Sequence, residues 1–367
     1  MKKILIIGLT ERMGGVETFI YNTTRFSNKQ KYVYDYLAHG TDKVVFQEEI
    51  SKFYDNENHF YFVPSVKRNP IQALRALSKF YKEHGGEYDY VHLQTGATSE
   101  LMYVLPFINK YKFKLITHSH NGNGYSPVIN SIFKPLVNLT STKKLSCSNE
   151  ATDWLFGKKY EDNVEIINNG IDSEQFTFNL EKRKYIRNKY NLTESKFVVG
   201  HIGRFSEQKN HVFIIKIFKE IVKKNSNAVL MLVGTGELEE SIKELVKKNN
   251  LIDKVIFCGL QKDTAAYYSA FDVFLMPSLY EGLPIVGIEA QSEGLPCYFS
   301  TSISEQIKIT KNANLVSLNN SSAEWAKKIT ESKVALNERK GFAKVINDNG
   351  YSIRGTVRKL EEIYEVD

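Results

Sequence analysis

Lys3-Ile4-Leu5-Ile6-Ile7, followed by Gly14-Gly15-Val16-Glu17-Thr18-Phe19-Ile20-Tyr21, is the stretch from which the fold class is read. The first run is short, continuously apolar and rich in β-branched residues, as expected of a strand buried on both faces. A glycine turn and an apolar pattern compatible with a helix come next, and strand, turn and helix N-terminus open an α/β unit. Further strands are expected at Val44–Phe46, Phe60–Val63, Tyr90–Leu93, Lys114–Thr117 and Val164–Ile167. Between them, Ile71, Leu74, Leu77, Phe80 and Tyr81 predict an amphipathic helix over Pro70–His84.

The pattern then restarts. Phe197–His201 reads as a strand ending at Gly203, and Val212–Lys224 as a helix. Strands at Ala228–Val233, Val255–Phe257, Val273–Met276 and Pro296–Phe299 alternate with helices at Glu237–Lys248, Thr264–Ala270 and Leu283–Gln291. Two α/β domains are therefore expected, each a parallel sheet covered by helices. A chain of 367 residues has room for both. The join falls within 171–195, where Glu181–Lys189 reads as an exposed, charged helix. A last helix is expected at Ile353–Tyr364.

Composition excludes several classes. Three cysteines, Cys147, Cys258 and Cys297, form neither a disulfide framework nor a metal-ligand spacing, which suits a reducing, cytoplasmic setting. No apolar run is long enough to span a bilayer, and none reads as a signal peptide. The net charge of +7 comes with no recognisable reading motif, so nucleic acid is not an expected partner. The charge is unevenly placed. Between Glu100 and Glu150 there is no acidic residue, while Lys110, Lys112, Lys114, Lys134, Lys143 and Lys144 all fall there. This stretch reads either as a solvated face or as a patch for phosphates or lipid headgroups.

Four clusters could carry chemistry, each just after an expected strand, where ligands of open α/β sheets bind. Arg204 and Lys209 supply a guanidinium fork and a mobile ammonium beside a helix start, an environment suited to a diphosphate. Taken alone, they are two surface charges in a loop. Glu281-Gly282-Leu283-Pro284-Ile285 precedes Glu289 by a spacing of eight. Gly282 permits close approach of backbone to ligand, and Pro284 fits the first turn of a helix. The bland reading of the two carboxylates is capping and solvation. His118 and His120 suit hydrogen bonding to a sugar hydroxyl or proton transfer, but no third ligand completes a metal site. Gly14 and Gly15 could bring backbone amides to a phosphate, or simply turn the chain. Neither a GxGxxG fingerprint nor a Walker lysine accompanies them, so dinucleotide and P-loop readings lose their support.

In this order, these segments resemble the family-4 retaining glycosyltransferases of GT-B fold, bacterial capsular and exopolysaccharide enzymes among them. The points of likeness are Gly14-Gly15-Val16-Glu17, His118 and His120, Asn168-Asn169-Gly170-Ile171-Asp172, Gly203-Arg204 with Lys209, and Glu281-Gly282-Leu283-Pro284 through Glu289-Ala290. The resemblance implies two Rossmann-like domains facing a central cleft. Residues 1–172 with 350–367 would form the acceptor side, and 173–349 the donor side. It implies that Arg204 and Lys209 hold the donor diphosphate and that Glu289 takes the ribose hydroxyls. Glu281 and the backbone of Gly282, Leu283, Pro284 and Ile285 would surround the sugar and its phosphate. Gly14 and Gly15 would approach the diphosphate or the acceptor, with His120, and His118 behind it, towards the sugar.

The implied reaction moves a hexose or N-acetylhexosamine, with retention, from a nucleotide-diphosphate sugar, a UDP-sugar by preference. The acceptor would be a hydroxyl of a cell-envelope or exopolysaccharide glycan, lipid-linked acceptors included. No metal or cofactor is implied, and the basic stretch suggests a peripheral stay at the inner face of the cell membrane. A nucleotide-sugar epimerase, or a non-catalytic nucleotide-sugar-binding protein, is the alternative. Gln291 and Glu293, which depart from the family's small residues, read as solvated helix positions.

Overall fold

The computed structural model describes residues 1–55, 58–122, 127–332 and 334–366. The chain divides into two compact units, Met1–Gly170 with Ile353–Asp367, and Ile171–Ser352. The sequence reading had set these boundaries at 172/173 and 349/350.

In chain order the first unit contains β1 (Lys2–Ile7), α1 (Gly15–Phe26), β2 (Tyr32–His39), α2 (Gln47–Ser51), β3 (Phe60–Val63), α3 (Pro70–His84) and β4 (Tyr90–Thr95). It continues with β5 (Lys114–Ser119), α4 (Pro127–Thr140), β6 (Lys143–Ser146), α5 (Asn149–Leu155) and β7 (Glu165–Ile166). The strands form one parallel sheet in the order β3-β2-β1-β4-β5-β6-β7. The order reverses between β1 and β4, so the crevice at their carboxyl ends is where a ligand is expected. One apolar core lies on each face, around Ile4, Phe19 and Tyr36 on one side and Leu5, Leu77 and Leu93 on the other.

One expectation fails here. Val44–Phe46 is not a strand. Phe46 takes a left-handed backbone (φ 63°) that ends any extension and starts α2. The second strand is instead Tyr32–His39, hidden in sequence by Asp35 at its centre. That carboxylate is 1% exposed, and it is tolerated because His59 Nδ1 lies at 2.7 Å, Tyr88 Oη donates at 2.8 Å and Lys3 Nζ sits at 3.1 Å.

The second unit runs α6 (Leu180–Lys189), β8 (Phe197–Ile202), α7 (His211–Lys224), β9 (Ala228–Val233), α8 (Glu239–Lys248), β10 (Val255–Gly259), α9 (Thr264–Ala270) and β11 (Val273–Met276). Then follow α10 (Ile285–Ser292), β12 (Cys297–Ser300), β13 (Ala313–Val316), α11 (Ser322–Glu331) and α12 (Phe342–Ile346). Its parallel sheet has the order β10-β9-β8-β11-β12-β13, reversing between β8 and β11. The final helix, α13 (Ile353–Glu365), returns to the first unit, where Leu360, Ile363 and Tyr364 join the core.

Helix α6 corrects another expectation. It is charged in sequence but not simply exposed: Arg183 and Arg187 are 2% and 1% exposed and clamp Asp272 with Nη2 atoms at 2.9 and 2.7 Å. Arg183 Nε donates to Glu194 Oε2 at 3.1 Å, and other guanidinium donors meet backbone carbonyls such as Ala270 O, which is how a buried charge becomes tolerable.

Candidate functional site

In the second unit, chemistry-bearing residues gather on loops at the switch point. Gly234, directly after β9, has φ +132°, and a Cβ there would lie 2.1 Å from Gly203 O. Only glycine lets the two loops touch backbone to backbone. The chain then turns through Glu207–Lys209 to Asn210, which adopts φ 57° and donates Nδ2 to Pro277 O at 3.1 Å. Leu279 N–H donates to Gln208 O at 2.8 Å, and Gln208 Nε2 to Tyr280 O at 3.1 Å. These bonds sew the loop after β8 to the loop after β11.

Lys209 and Glu281 are brought together as a result. Lys209 Nζ lies 2.5 Å from Glu281 Oε1, with the two side chains 15% and 11% exposed. Arg204 is different. Its guanidinium is half exposed and forks onto Glu237 Oε2 at 2.9 and 3.1 Å. Glu237 was not singled out from sequence, although it too follows a strand and two glycines. Behind Lys209, His201 Nδ1 donates to Leu275 O at 2.8 Å and its ring meets that of His211 edge-on. Burial first, and the Lys209 charge among the lesser causes, holds His211 down to about 4 and His201 well below the usual imidazole range.

Leu283 and Pro284 are buried and anchor the loop, while Glu281, Gly282 and Ile285 remain partly accessible. Pro284 occupies the N-cap position of α10 and its carbonyl accepts Gly287 N–H at 3.0 Å, while the N–H groups of Ile285 and Val286 precede the helix's own bonding ladder. Glu289, in the middle of α10, accepts from Tyr268 Oη at 2.9 Å. Burial pushes its carboxyl up to about 7, against the opposing effect of that hydrogen bond.

Gln291 and Glu293 are not solvated: both are 0% exposed, because α10 is a core helix covered on every side. Gln291 Oε1 accepts from Ile309 N and Thr310 N, and its Nε2 donates to Ile307 O at 2.8 Å. Glu293 Oε2 accepts from Ser269 Oγ at 2.8 Å.

The first unit gathers a second set at its own switch point. Gly14 caps α1 and Gly15 begins it. Glu17, 7% exposed, accepts from Thr10 Oγ1 at 2.7 Å and closes the loop after β1, with burial raising its carboxyl above the ordinary range. His118 lies inside β5 rather than in the loop after it, wholly buried between Phe19 and His92. Neither of its nitrogens has a partner among the described residues.

His120 follows the strand, and its Nε2 lies 2.5 Å from Gln94 Oε1. Gln94 is pressed into place by β1. Gly8 has φ +147°, and a Cβ there would sit 2.5 Å from Gln94 O. The other end of the amide lies 3.2 Å from His92 Nε2, and His92 Nδ1 is 2.6 Å from Tyr364 Oη of α13. Burial keeps His92 and His120 neutral, both down to about 3. One polarity satisfies this chain. Gln94 N–H donates to His92 Nε2, His92 Nδ1–H donates to Tyr364, and His120 Nε2–H donates to Gln94. Gln94 was missed from sequence. The available signal was an amide at the exit of a strand that is otherwise apolar.

Two doubly wound parallel units, each with charged loops at its switch point, are the architecture of the GT-B fold. The model of the glycosyltransferase family 4 matches residues 13–175, and that of glycosyl transferases group 1 matches residues 182–350. The chain is 30% identical over its whole length to the protein named glycosyltransferase EpsF of Bacillus subtilis (strain 168), covering 97% of that protein. It is 28% identical, over 86% of each chain, to the UDP-Gal:alpha-D-GlcNAc-diphosphoundecaprenol alpha-1,3-galactosyltransferase of Escherichia coli. Among solved structures, Anabaena HepE in complex with UDP and glucose matches with a TM-score of 0.77 and 16% identity, covering 99% of both chains. This chain belongs to the family-4, group-1 glycosyltransferases.

Proposed function

We propose that the protein transfers a hexose or N-acetylhexosamine, with retention at the anomeric carbon, from a UDP-sugar to a hydroxyl of a cell-envelope or exopolysaccharide acceptor. The observation that carries this reading is the meeting of Lys209 and Glu281 at the switch point of the second unit, next to Arg204 and the start of α10. An ammonium, a guanidinium and helix N–H groups offset the charge that a departing diphosphate develops. In this reading they do so without a divalent cation or another cofactor. Arriving phosphates would compete with Glu281 for Lys209 and with Glu237 for Arg204. Glu281 would then be free to meet the sugar, and Glu289 would take the ribose hydroxyls.

In the first unit, Gly14 and Gly15 would offer backbone amides, and His120, backed by His118, would face the sugar. Among the described residues no side chain stands out as a covalent nucleophile. A front-face substitution, in which the leaving phosphate receives the acceptor proton, fits these groups best. The named UDP-Gal:diphosphoundecaprenol relative and the UDP complex of the structural neighbour support the donor class and a lipid-linked acceptor.

The test is UDP release from a panel of UDP-sugars, with and without lipid-linked acceptors, together with NMR of the product's anomeric configuration. Transfer that is retained in EDTA supports the reading. Conversion of the donor without any acceptor favours an epimerase, and UDP binding with neither transfer nor hydrolysis favours a non-catalytic binder.

A further inference from the structure

Glu289, the residue proposed for the ribose hydroxyls, is held by a side chain that no ligand can reach. Tyr268 belongs to α9 and is wholly buried, its ring packed against Phe176, Phe271 and Phe274 at centroid distances of 6.0, 6.0 and 5.7 Å. These contacts fix where the hydroxyl points. It lies 3.0 Å from Val286 O and 2.9 Å from Glu289 Oε2, which share one face of α10 because the two residues are three apart. One phenolic proton therefore has two acceptors. It goes to Glu289 when that group is a carboxylate, since the charge-assisted bond is the stronger. It goes to Val286 O when Glu289 is protonated and itself donates to the phenol oxygen. Among the described residues Tyr268 is the only hydrogen-bond partner of the Glu289 carboxyl, so Oε1 is left over on a residue that keeps 7% of its surface open.

We propose that Tyr268 is a positioning residue for ribose recognition: its hydroxyl fixes Glu289 Oε2 and presents Oε1 to the ribose 2′- and 3′-hydroxyls, so the choice of a ribonucleotide over a 2′-deoxyribonucleotide depends on a side chain that never touches the donor. The inference rests on the reading of Glu289 as the ribose ligand. A carboxylate already held by one oxygen loses little freedom when a hydroxyl binds the other. Its charge matters as well. Burial pushes the Glu289 carboxyl up to about 7, the Tyr268 hydrogen bond opposes that rise, and Glu293, one turn along α10, adds to it. The other ionisable neighbours are quiet. Cys297 of β12 is kept a neutral thiol by its own burial, and Lys344 of α12 is exposed. Arg339, ahead of α12, directs its guanidinium to Glu293 O, Phe271 O and Tyr268 O. Without the phenol the proton would stay on Glu289 to higher pH, and a protonated carboxyl is the weaker acceptor for a hydroxyl.

The experiment is isothermal titration calorimetry of the purified protein with UDP and with 2′-deoxyUDP, from about pH 6 to about pH 8.5. The ratio of the two dissociation constants cancels the ionisation of the phosphates, which the two nucleotides share. Wild type at about pH 8 is expected to prefer UDP about tenfold or more, because the deoxy compound leaves a buried acceptor unpaired. The preference should shrink as pH falls through about 7. In Tyr268→Phe the ratio at about pH 7.5 is expected to drop about threefold or more, with its rise displaced to higher pH. Glu289→Gln should give a small ratio that does not change with pH. A side chain with a merely structural role would, when altered, weaken both nucleotides alike, and an unchanged ratio and pH profile in Tyr268→Phe overturns the proposal. A wild-type preference that is constant across this range also overturns it, and that readout needs no variant. Absence of any wild-type preference at about pH 8 takes Glu289 away from the ribose, which sinks the underlying reading together with the proposal. UDP release during transfer, measured on wild type, reads the glycosyltransfer assignment separately.

Discussion

Lys209 shows why a residue's chemistry depends on its partner. With Glu281 at 2.5 Å its charge is already answered, so the donor diphosphate must exchange for a carboxylate rather than meet a free cation. Lys209→Ala is therefore expected to lower kcat/KM at least about 100-fold through lost stabilisation of the leaving diphosphate. Its circular dichroism should stay near that of wild type, while its melting falls modestly because the largely buried Glu281 loses its partner. Full transfer activity in that variant would remove Lys209 from the mechanism. Glu289 makes a pH-dependent case. Its carboxyl is raised from 4.5 to about 7 by burial, so the folded state holds the proton more tightly than the unfolded chain does. The favourable contribution is complete below about pH 4.5 and is lost as pH rises through 7. At pH 8 the buried carboxylate costs on the order of 3 kcal/mol relative to the protonated form. Glu289→Gln removes this titration. Denaturant unfolding should show the variant gaining on wild type from pH 5 to pH 8, and a pH-independent difference would refute the assignment.

At the scale of elements, the exits of β4 and β5 and the last turn of α13 share one hydrogen-bonded chain, Tyr364–His92–Gln94–His120. The C-terminal helix thus reaches the candidate histidine through polar bonds as well as through packing. Tyr364→Phe leaves the His92 Nδ1–H unpaired in the core and should cost about 1–3 kcal/mol in urea unfolding, with loss below 0.5 kcal/mol arguing against the bond. This chain was not legible in sequence. His92 and Gln94 lie two residues apart on β4, but Tyr364 is 272 residues from His92, and only parallel pairing with β1 and β5 aligns the three exits. Gln291 teaches the same lesson in the other unit. A helix starting after Pro284 was legible, but the burial of α10 on all sides depends on β12, β13 and the segment around Ile307, which its own sequence does not announce.

For the whole molecule, the buried ionisable groups are unequally shared. The first unit holds His92, His118 and His120 neutral, offset by one raised carboxyl, Glu17. The second unit holds His201 and His211 neutral but carries two raised carboxyls, Glu289 and Glu293. A histidine whose folded pKa is depressed contributes stability above its unfolded value near 6.5, and that stability is lost as pH falls below it. Each proton taken up only by the unfolded chain costs about 1.4 kcal/mol per pH unit. Raised carboxyls work in the opposite direction in this range. Hydrogen exchange at pH 5.5 against pH 7.5 is therefore expected to show protection lost first in residues 1–170 and 353–366, and later in 171–352. Loss in the reverse order would contradict the balance. Total stabilities of 5–15 kcal/mol make such increments visible.

The sequence by itself determined the alternation of strand and helix, the two parallel α/β units and the family, because most buried strands are local apolar runs and each loop motif is contiguous. It also named Arg204, Lys209, Glu281 and Glu289 as the residues to watch. Only the tertiary structure decided their partners and protonation. Glu281 sits 72 residues from Lys209, Tyr268 lies on a different helix from Glu289, and Asp35 is acceptable inside a strand only because His59, Tyr88 and Lys3 converge on it. Apolar burial is written in short-range pattern, whereas the satisfaction of a buried polar group depends on which distant atoms the fold delivers to it.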